Sequence, residues 1–365
     1  MRTLERITVT GYKSIKELRD FELGDLNVLI GANGAGKSNF LSVFKLLNRL
    51  VNERLQLFVA QSGGADFLLS FSSKVTNEIA LSLQFIDGNM PEGYSLKLVP
   101  AATNQLVIAE EFCWDNEFAE PTVIGTGKGK EEAGLKGMYD QGVIVDKAYK
   151  LFQDLELYHF QDTTPEARVK QNADIYDNHK LKSDARNLAS FLYLLKNHHQ
   201  VYYKRILQTV QLVAPFLADF ALNPMPENAQ RIRLRWQHKN AEDDFDISQL
   251  SDGTLRFICL TTLLLQPNPP SLIIIDEPEL GLHPYAMGLL VEMLRSVATK
   301  SQVLISTQSV SMVSQFFPEE IIVVDREKDA SVFRRLNSKE LEVWLEDYSL
   351  GEIWEMNLVG GRPRR

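Results

Sequence analysis

Eight residues near the N-terminus constrain this chain more than any others: Gly31-Ala32-Asn33-Gly34-Ala35-Gly36-Lys37-Ser38. Glycine lets a backbone wrap closely around an anion and turn successive N–H groups toward it. A lysine directly after the last glycine adds a positive charge, and the hydroxyl that follows can ligate a divalent cation. The flanks agree with this reading. Asn27-Val28-Leu29-Ile30 is a short apolar run, as a buried strand requires, and Leu41, Phe44, Leu47 and Val51 recur at helical spacing. With glycine at about 7% of residues, the pattern would arise by chance in about one chain of this length in a hundred. Its position between a buried strand and an amphipathic helix argues for a phosphate-binding loop.

Composition narrows the rest. The chain has 365 residues, 39 basic against 48 acidic, for a net charge of −9, and 44% of its residues are hydrophobic. Those proportions exclude a disordered or fibrous chain. An acidic balance argues against a protein that coats nucleic acid with its whole surface, though a local basic groove stays compatible with it. Only Cys113 and Cys259 are present, so no disulfide framework is expected and a reducing, cytoplasmic setting is. No apolar run approaches the ~20 residues of a membrane span, so no membrane partner is expected. The N-terminus lacks the apolar core of a signal peptide.

A second acidic feature stands far along the chain. Leu272-Ile273-Ile274-Ile275 is followed by Asp276-Glu277. An aspartate at the end of a buried strand can serve the shell of Mg²⁺ bound to ATP, and a glutamate one residue on can orient or deprotonate a water. By contrast, Gly127-Lys128-Gly129-Lys130 has no apolar run before it and no hydroxyl after it, and is expected to be a surface loop. Strand-like stretches recur at Ile7–Thr10, Glu78–Phe85, Tyr94–Val99 and Gln105–Glu110, with a turn expected at Asp87-Gly88-Asn89. From Thr164 to Phe220 the chain is polar and helix-forming. Arg231–His238 alternates as one strand, and Ile321–Val324 is expected to be the last. The order predicts an α/β fold with a mixed sheet, divided as an N-terminal half-head (1–163), an inserted helical lobe with return strands (164–245) and a C-terminal half-head (246–365).

Taken together, these motifs resemble the RecF/SMC/OLD branch of ABC-type ATPases. Leu250-Ser251-Asp252-Gly253-Thr254 resembles its signature motif. Asp276-Glu277-Pro278-Glu279-Leu280-Gly281-Leu282-His283-Pro284 resembles its Walker B and D-loop, Ser306-Thr307-Gln308-Ser309 its switch, and Gly11-Tyr12-Lys13-Ser14 its aromatic–basic–serine turn. The resemblance implies a P-loop ATPase head in which two copies sandwich two ATP molecules. It implies nucleotide contacts from Asn33, Gly34, Ala35, Gly36, Lys37, Ser38 and Asn39, with Lys13 either near the α-phosphate or simply at the surface. Ser251 and Gly253 would reach the γ-phosphate of the other subunit's ATP. Glu277 is the implied base, and Mg²⁺ would be held by Ser38 and Asp276, with Gln161 as the Q-loop residue in its shell and Gln84 as the alternative.

Gln308 departs from the family, where histidine is usual; an amide can bond the γ-phosphate but cannot carry a proton, which leaves slow hydrolysis or a nucleotide-gated scaffold open. No long coiled coil is inserted. Only 40 residues follow Asp325, fewer than a Toprim nuclease domain needs. The resemblance therefore points to a compact ATPase encoded beside a separate effector, as in phage defence, acting through head dimers or higher homo-oligomers. The alternative is a RecF-type DNA repair ATPase, for which Arg231, Arg233 and Arg235 would form a local basic strip; the plainer reading is a solvated edge strand. Arg362, Arg364 and Arg365 read as a tail, His283 as a D-loop or structural residue, and Cys259 as core packing.

Overall fold

The computed structural model describes residues 3–87, 90–115, 122–140 and 143–362. Packing groups them into two compact units, one of Met1–Leu157, Pro270–Ile274 and Lys300–Arg365, the other of Tyr158–Pro269 and Ile275–Thr299. Division by packing thus cuts across the three-part division by motif, because two helices from the C-terminal third group with residues 158–269.

The first unit opens with a hairpin, β1 (Thr3–Tyr12) and β2 (Ile15–Glu22), turned by Lys13 and Ser14. The alternation at Ile7–Thr10 lies in β1, with Ile7 and Val9 buried. β3 (Leu26–Ile30) is buried at every position. The glycine loop follows, then α1 (Lys37–Val51), whose Phe40, Leu41, Phe44 and Leu47 enter the core. Each such side chain contributes roughly 1.5–3 kcal/mol on burial. Beyond it come α2 (Leu55–Gln61), α3 (Ala65–Leu68), β4 (Ile79–Asp87), β5 (Met90–Pro100), β6 (Leu106–Asp115), β7 (Thr122–Lys130), α4 (Val143–Gln153) and β8 (Glu156–Tyr158). Strands pair in the order β2-β1-β4-β5-β6-β7, antiparallel throughout. Gly127–Lys130 is the end of β7 rather than a loop. Of these four, Lys130 stands in register opposite Ile108, and the ladder shifts register between it and Thr126, as glycines in a strand often mark. Gly88 and Asn89 of the expected turn lie outside the described residues.

In the second unit the expected run of helix is shorter. Residues 159–187 are mostly turns, a short 3-10 helix at Arg168–Lys170 and β9 (Ala173–Asp174); regular helix starts only with α5 (Leu188–His198) and α6 (Gln200–Val213). The short strands β10 (Leu217–Ala221), β11 (Pro224–Met225), β12 (Asn228–Ile232), β13 (Arg235–His238) and β14 (Asp244–Asp246) then form two small sheets, β10-β13-β14 and β11-β12-β9. Arg231–His238 is therefore two strands in two sheets, broken at Arg233-Leu234, although its in–out alternation persists. Trp236 packs against Phe216 and Phe245. α7 (Asp252–Leu265) follows. β15 (Leu272–Asp276) belongs to the first unit up to Ile274 and to the second from Ile275, and α8 (Pro284–Ala298) completes the second.

Back in the first unit, β16 (Gln302–Ser306), α9 (Val310–Val313), β17 (Ile321–Glu327), β18 (Ala330–Arg335), α10 (Ser338–Leu345) and α11 (Leu350–Glu355) follow, so β17 is not the last strand. The mixed sheet expected from the βα order is present, in the order β18-β17-β3-β16-β15-β8. β3 lies parallel to both β16 and β17, whereas β17 and β18 form an antiparallel hairpin. Buried Gln302 ties β16 to the other sheet: its side chain accepts from Leu4 N at 3.1 Å and donates to Leu4 O at 2.8 Å. Among the described residues no helix is long and apolar enough to cross a membrane.

Candidate functional site

Parallel strands set the geometry of the first unit's site, because loops at their C-terminal ends gather on one edge of the sheet. Ser306 stands opposite Leu29 in the β16–β3 ladder, and Thr307 N donates to Leu29 O at 3.0 Å. The residue after Thr307, Gln308, is thereby brought beside the glycine loop that leaves β3. A cavity of about 130 Å³ is lined by Asn33, Gly34, Gly36, Lys37, Ser38, Asn39 and Gln308. Sequence placed these residues in two motifs 269 positions apart or more; the fold brings them together.

Lys37 is only 5% exposed. Its ammonium donates to Gly31 O at 2.6 Å and Ala32 O at 3.1 Å, so the cation is held by the loop it follows. Ser38 is exposed in the first turn of α1. Gly36 caps that helix at φ 119°, in the left-handed region, which a side chain tolerates poorly. Asn39 donates to Ser14 Oγ at 2.7 Å, and Tyr12 and Lys13 both bond Ser42 of α1. The Gly11–Ser14 turn thus braces α1. Lys13 bonds Ser42 at 3.1 Å and is not among the residues lining the cavity; burial, with Lys45 nearby, pulls its ammonium below the ordinary lysine value.

In the second unit, β15 ends at Asp276 and Glu277 follows at φ 48°, left-handed backbone that a non-glycine residue adopts at a cost of about 1–3 kcal/mol. The turn continues with Leu282 N donating to Glu279 O at 3.0 Å. His283 caps α8, its Nδ1 accepting from Tyr285 N at 3.3 Å. Gln161 donates to the Asp276 carbonyl at 3.3 Å, whereas Gln84 donates to Glu5 in the antiparallel sheet. Of the two Q-loop candidates, Gln161 is the one beside the acidic turn. Ser251 caps α7 by accepting from Thr254 N at 3.2 Å.

Two cations that sequence reasoning passed over join these pieces. Arg256 of α7 donates to Leu280 O at 3.0 Å, to Gln161 O at 2.8 Å and to Thr163 Oγ1 at 3.3 Å. Buried Lys170 donates to Thr163 O at 2.6 Å and lies 3.9 Å from Asp252. The signal for Arg256 was present in the sequence: it is the one charge in the apolar run Leu255–Leu265. Lys170, among turns, had no such contrast.

The arginine strip does not survive as a unit. Arg231 and Arg235 are exposed on different sheets, and Arg233 pairs with Asp246 at 2.6 Å. Burial opposes ionisation of Asp246, but Ser248 and Arg233 together hold its carboxyl below the ordinary value. A cavity of about 650 Å³ beside them is lined by Glu227, Asp244 and Asp246 as well as Arg233 and Arg235, so its charge is mixed. Burial pushes the Cys259 thiol up to about 12, in keeping with a core role. Arg364 and Arg365 lie outside the described residues.

Comparison with known proteins adds the family. Over 108 residues the chain is 34% identical to the Old nuclease of Escherichia phage P2, covering 27% of this chain and 18% of that protein. Over 61 residues it is 41% identical to Nod factor export ATP-binding protein I of Rhizobium etli, covering 17% and 19%. The matched stretches span less than a fifth of either relative. In fold the chain is similar to an Smc head bound to the C-winged helix domain of ScpA, with a TM-score of 0.60, 15% identity, and 93% and 99% of the two chains covered. It is also similar to an Smc head with an extended coiled coil bound to the C-terminal domain of ScpA, derived from Pyrococcus furiosus (TM-score 0.58, 15% identity, 95% and 99% covered). The family described as "AAA domain, putative AbiEii toxin, Type IV TA system" matches residues 26–101 and 141–314, which include the glycine loop, the signature, the acidic turn and Gln308. With more than half of its length matched, the chain belongs to this AAA-domain family, and in fold it is similar to Smc heads.

Proposed function

We propose that the chain is an ATP-hydrolysing head whose nucleotide-dependent pairing with a second copy works as a switch for a separate effector protein, with anti-phage defence as its setting. The observation that carries this is the cavity in which the glycine loop, Lys37, Ser38 and Gln308 meet. In this reading the N–H groups of residues 33–39 and the α1 N-terminus receive the phosphates, and Lys37 takes the β and γ phosphates. Mg²⁺, when bound, would supply positive charge against the phosphates, and the resemblance assigns Ser38, Asp276 and Gln161 to its shell. An exposed hydroxyl and a carboxylate are hard oxygen donors, which suit Mg²⁺ with its remaining waters. Glu277 takes the proton of the attacking water, and Gln308 bonds that water or the γ-phosphate. Ser251 and Gly253 from the second copy close the site.

Replacing Glu277 by Gln tests the assignment. The variant should bind ATP, turn it over at least about a hundredfold more slowly, and run as a dimer in size-exclusion chromatography with light scattering. Normal turnover by Glu277→Gln would remove Glu277 as the base. Co-purification with the product of the neighbouring gene, with and without ATP, tests the effector.

A further inference from the structure

Four polar groups from three distant segments of the first unit line up behind the glycine loop. Asn39 Nδ2 lies 2.7 Å from Ser14 Oγ, Ser14 Oγ lies 2.7 Å from Ser331 Oγ, and Ser331 Oγ lies 2.5 Å from Ala35 O. Backbone contact fixes the same pair, since Ser331 N donates to Ser14 O at 2.7 Å. The Asn39 amide nitrogen can only donate, so Ser14 accepts from it. The Ser331 hydroxyl is the donor of the other two contacts, facing both Ser14 Oγ and the Ala35 carbonyl.

Its end point is a peptide unit of the glycine loop. In a trans peptide the carbonyl and the following N–H point in opposite directions. A carbonyl of Ala35 held by Ser331 turns the Gly36 N–H the other way, and Gly36 is one of the residues lining the cavity. Turned over, the same peptide would offer an oxygen where an anion needs a donor. Ser331 is 2% exposed, so no solvent stands ready to replace its hydroxyl. The fit is also mutual: a Cβ on Gly36 would lie 2.0 Å from Ser331 Oγ.

We propose that Ser331, on β18, is a positioning residue for phosphate binding: its hydroxyl, held in place beside Ser14, pins the Ala35–Gly36 peptide with its N–H presented to the nucleotide. The inference rests on the glycine loop being the ATP site, so Lys37→Ala serves as the control for that premise. ATP affinity by calorimetry and steady-state turnover are measured on the full chain and on Ser331→Ala, Ser14→Ala and the double variant. Ser331→Ala should raise the ATP Kd and KM by about tenfold, the effect of one buried hydrogen bond, with kcat kept. The double variant should be within about twofold of the worse single one, because both residues act through the one bond to the Ala35 carbonyl. A merely structural role would instead lower the active fraction, reducing apparent kcat at an unchanged KM. Should Ser331→Ala fail to fold, Ser331→Cys keeps the volume with a weak donor and should show the same KM effect. Loss of ATP binding in Lys37→Ala alongside unchanged KM in the Ser331 variants would overturn the proposal while leaving the ATP site intact. ATP binding unchanged in Lys37→Ala would overturn both.

Discussion

A Cβ on Gly253 would lie 2.3 Å from the backbone oxygen of Gly281, so the first turn of α7 and the turn after Glu277 meet backbone against backbone. No side chain fits between them, and the signature glycine has a packing reason that is independent of any ligand. Gly253→Ala should push the Glu277–His283 turn off α7 and reduce ATP turnover by about tenfold or more, measured beside circular dichroism to verify the fold. Full turnover in a folded Gly253→Ala protein would show that this contact has no part in the reaction.

Arg256 reinforces the same joint with a guanidinium fork reaching Leu280, Gln161 and Thr163. A lysine can reach only part of that set. Arg256→Lys should therefore be intermediate between the parent and Arg256→Ala in both turnover and thermal midpoint, with the alanine variant losing about 1–3 kcal/mol of stability. Equal behaviour of the two variants would mean that the fork geometry is immaterial.

Gln308 lines the cavity with an amide, which does not titrate. The pH–rate profile of the parent should then lack a limb attributable to this position, and Gln308→His should introduce one near pH 6.5, the ordinary imidazole value. Gln308→Ala should slow turnover by about tenfold or more through the lost hydrogen bond. An unaltered rate in the alanine variant would take Gln308 out of the reaction.

Because Asp246 engages Arg233 and the neighbouring cavity carries both signs of charge, duplex DNA should not stimulate ATP turnover even at about 50 mM salt. Stimulation that disappears in Arg231→Glu and Arg235→Glu would restore a DNA-directed function.

The parts of the molecule legible in the sequence are those in which neighbours along the chain carry the signal. β3, the glycine loop and α1 could be read because apolar run, glycine spacing and helical period follow one another within residues 26–51. Asp276 and Glu277 could be read because four apolar residues precede them. Ser331 could not, since its hydroxyl gains meaning only from Ala35 and Ser14, 296 and 317 residues away. Residues 159–187 fold through turns and side-chain bonds, such as Asn187 to Asp177 and Lys180, which leave no period to detect. At Gly127–Lys130 local preference pointed to a loop, and the structure carries β7 on to Lys130 through a shift in the β6 register.

Glu277 has a consequence for how such a protein can be improved. Its left-handed backbone suits glycine, so Glu277→Gly should leave the folded chain unstrained and raise its thermal midpoint, or at least cost nothing. Any screen that rewards heat resistance alone will therefore tend to discard the very carboxylate on which turnover is proposed to depend, and variants gathered that way will be sturdier proteins that no longer run on ATP.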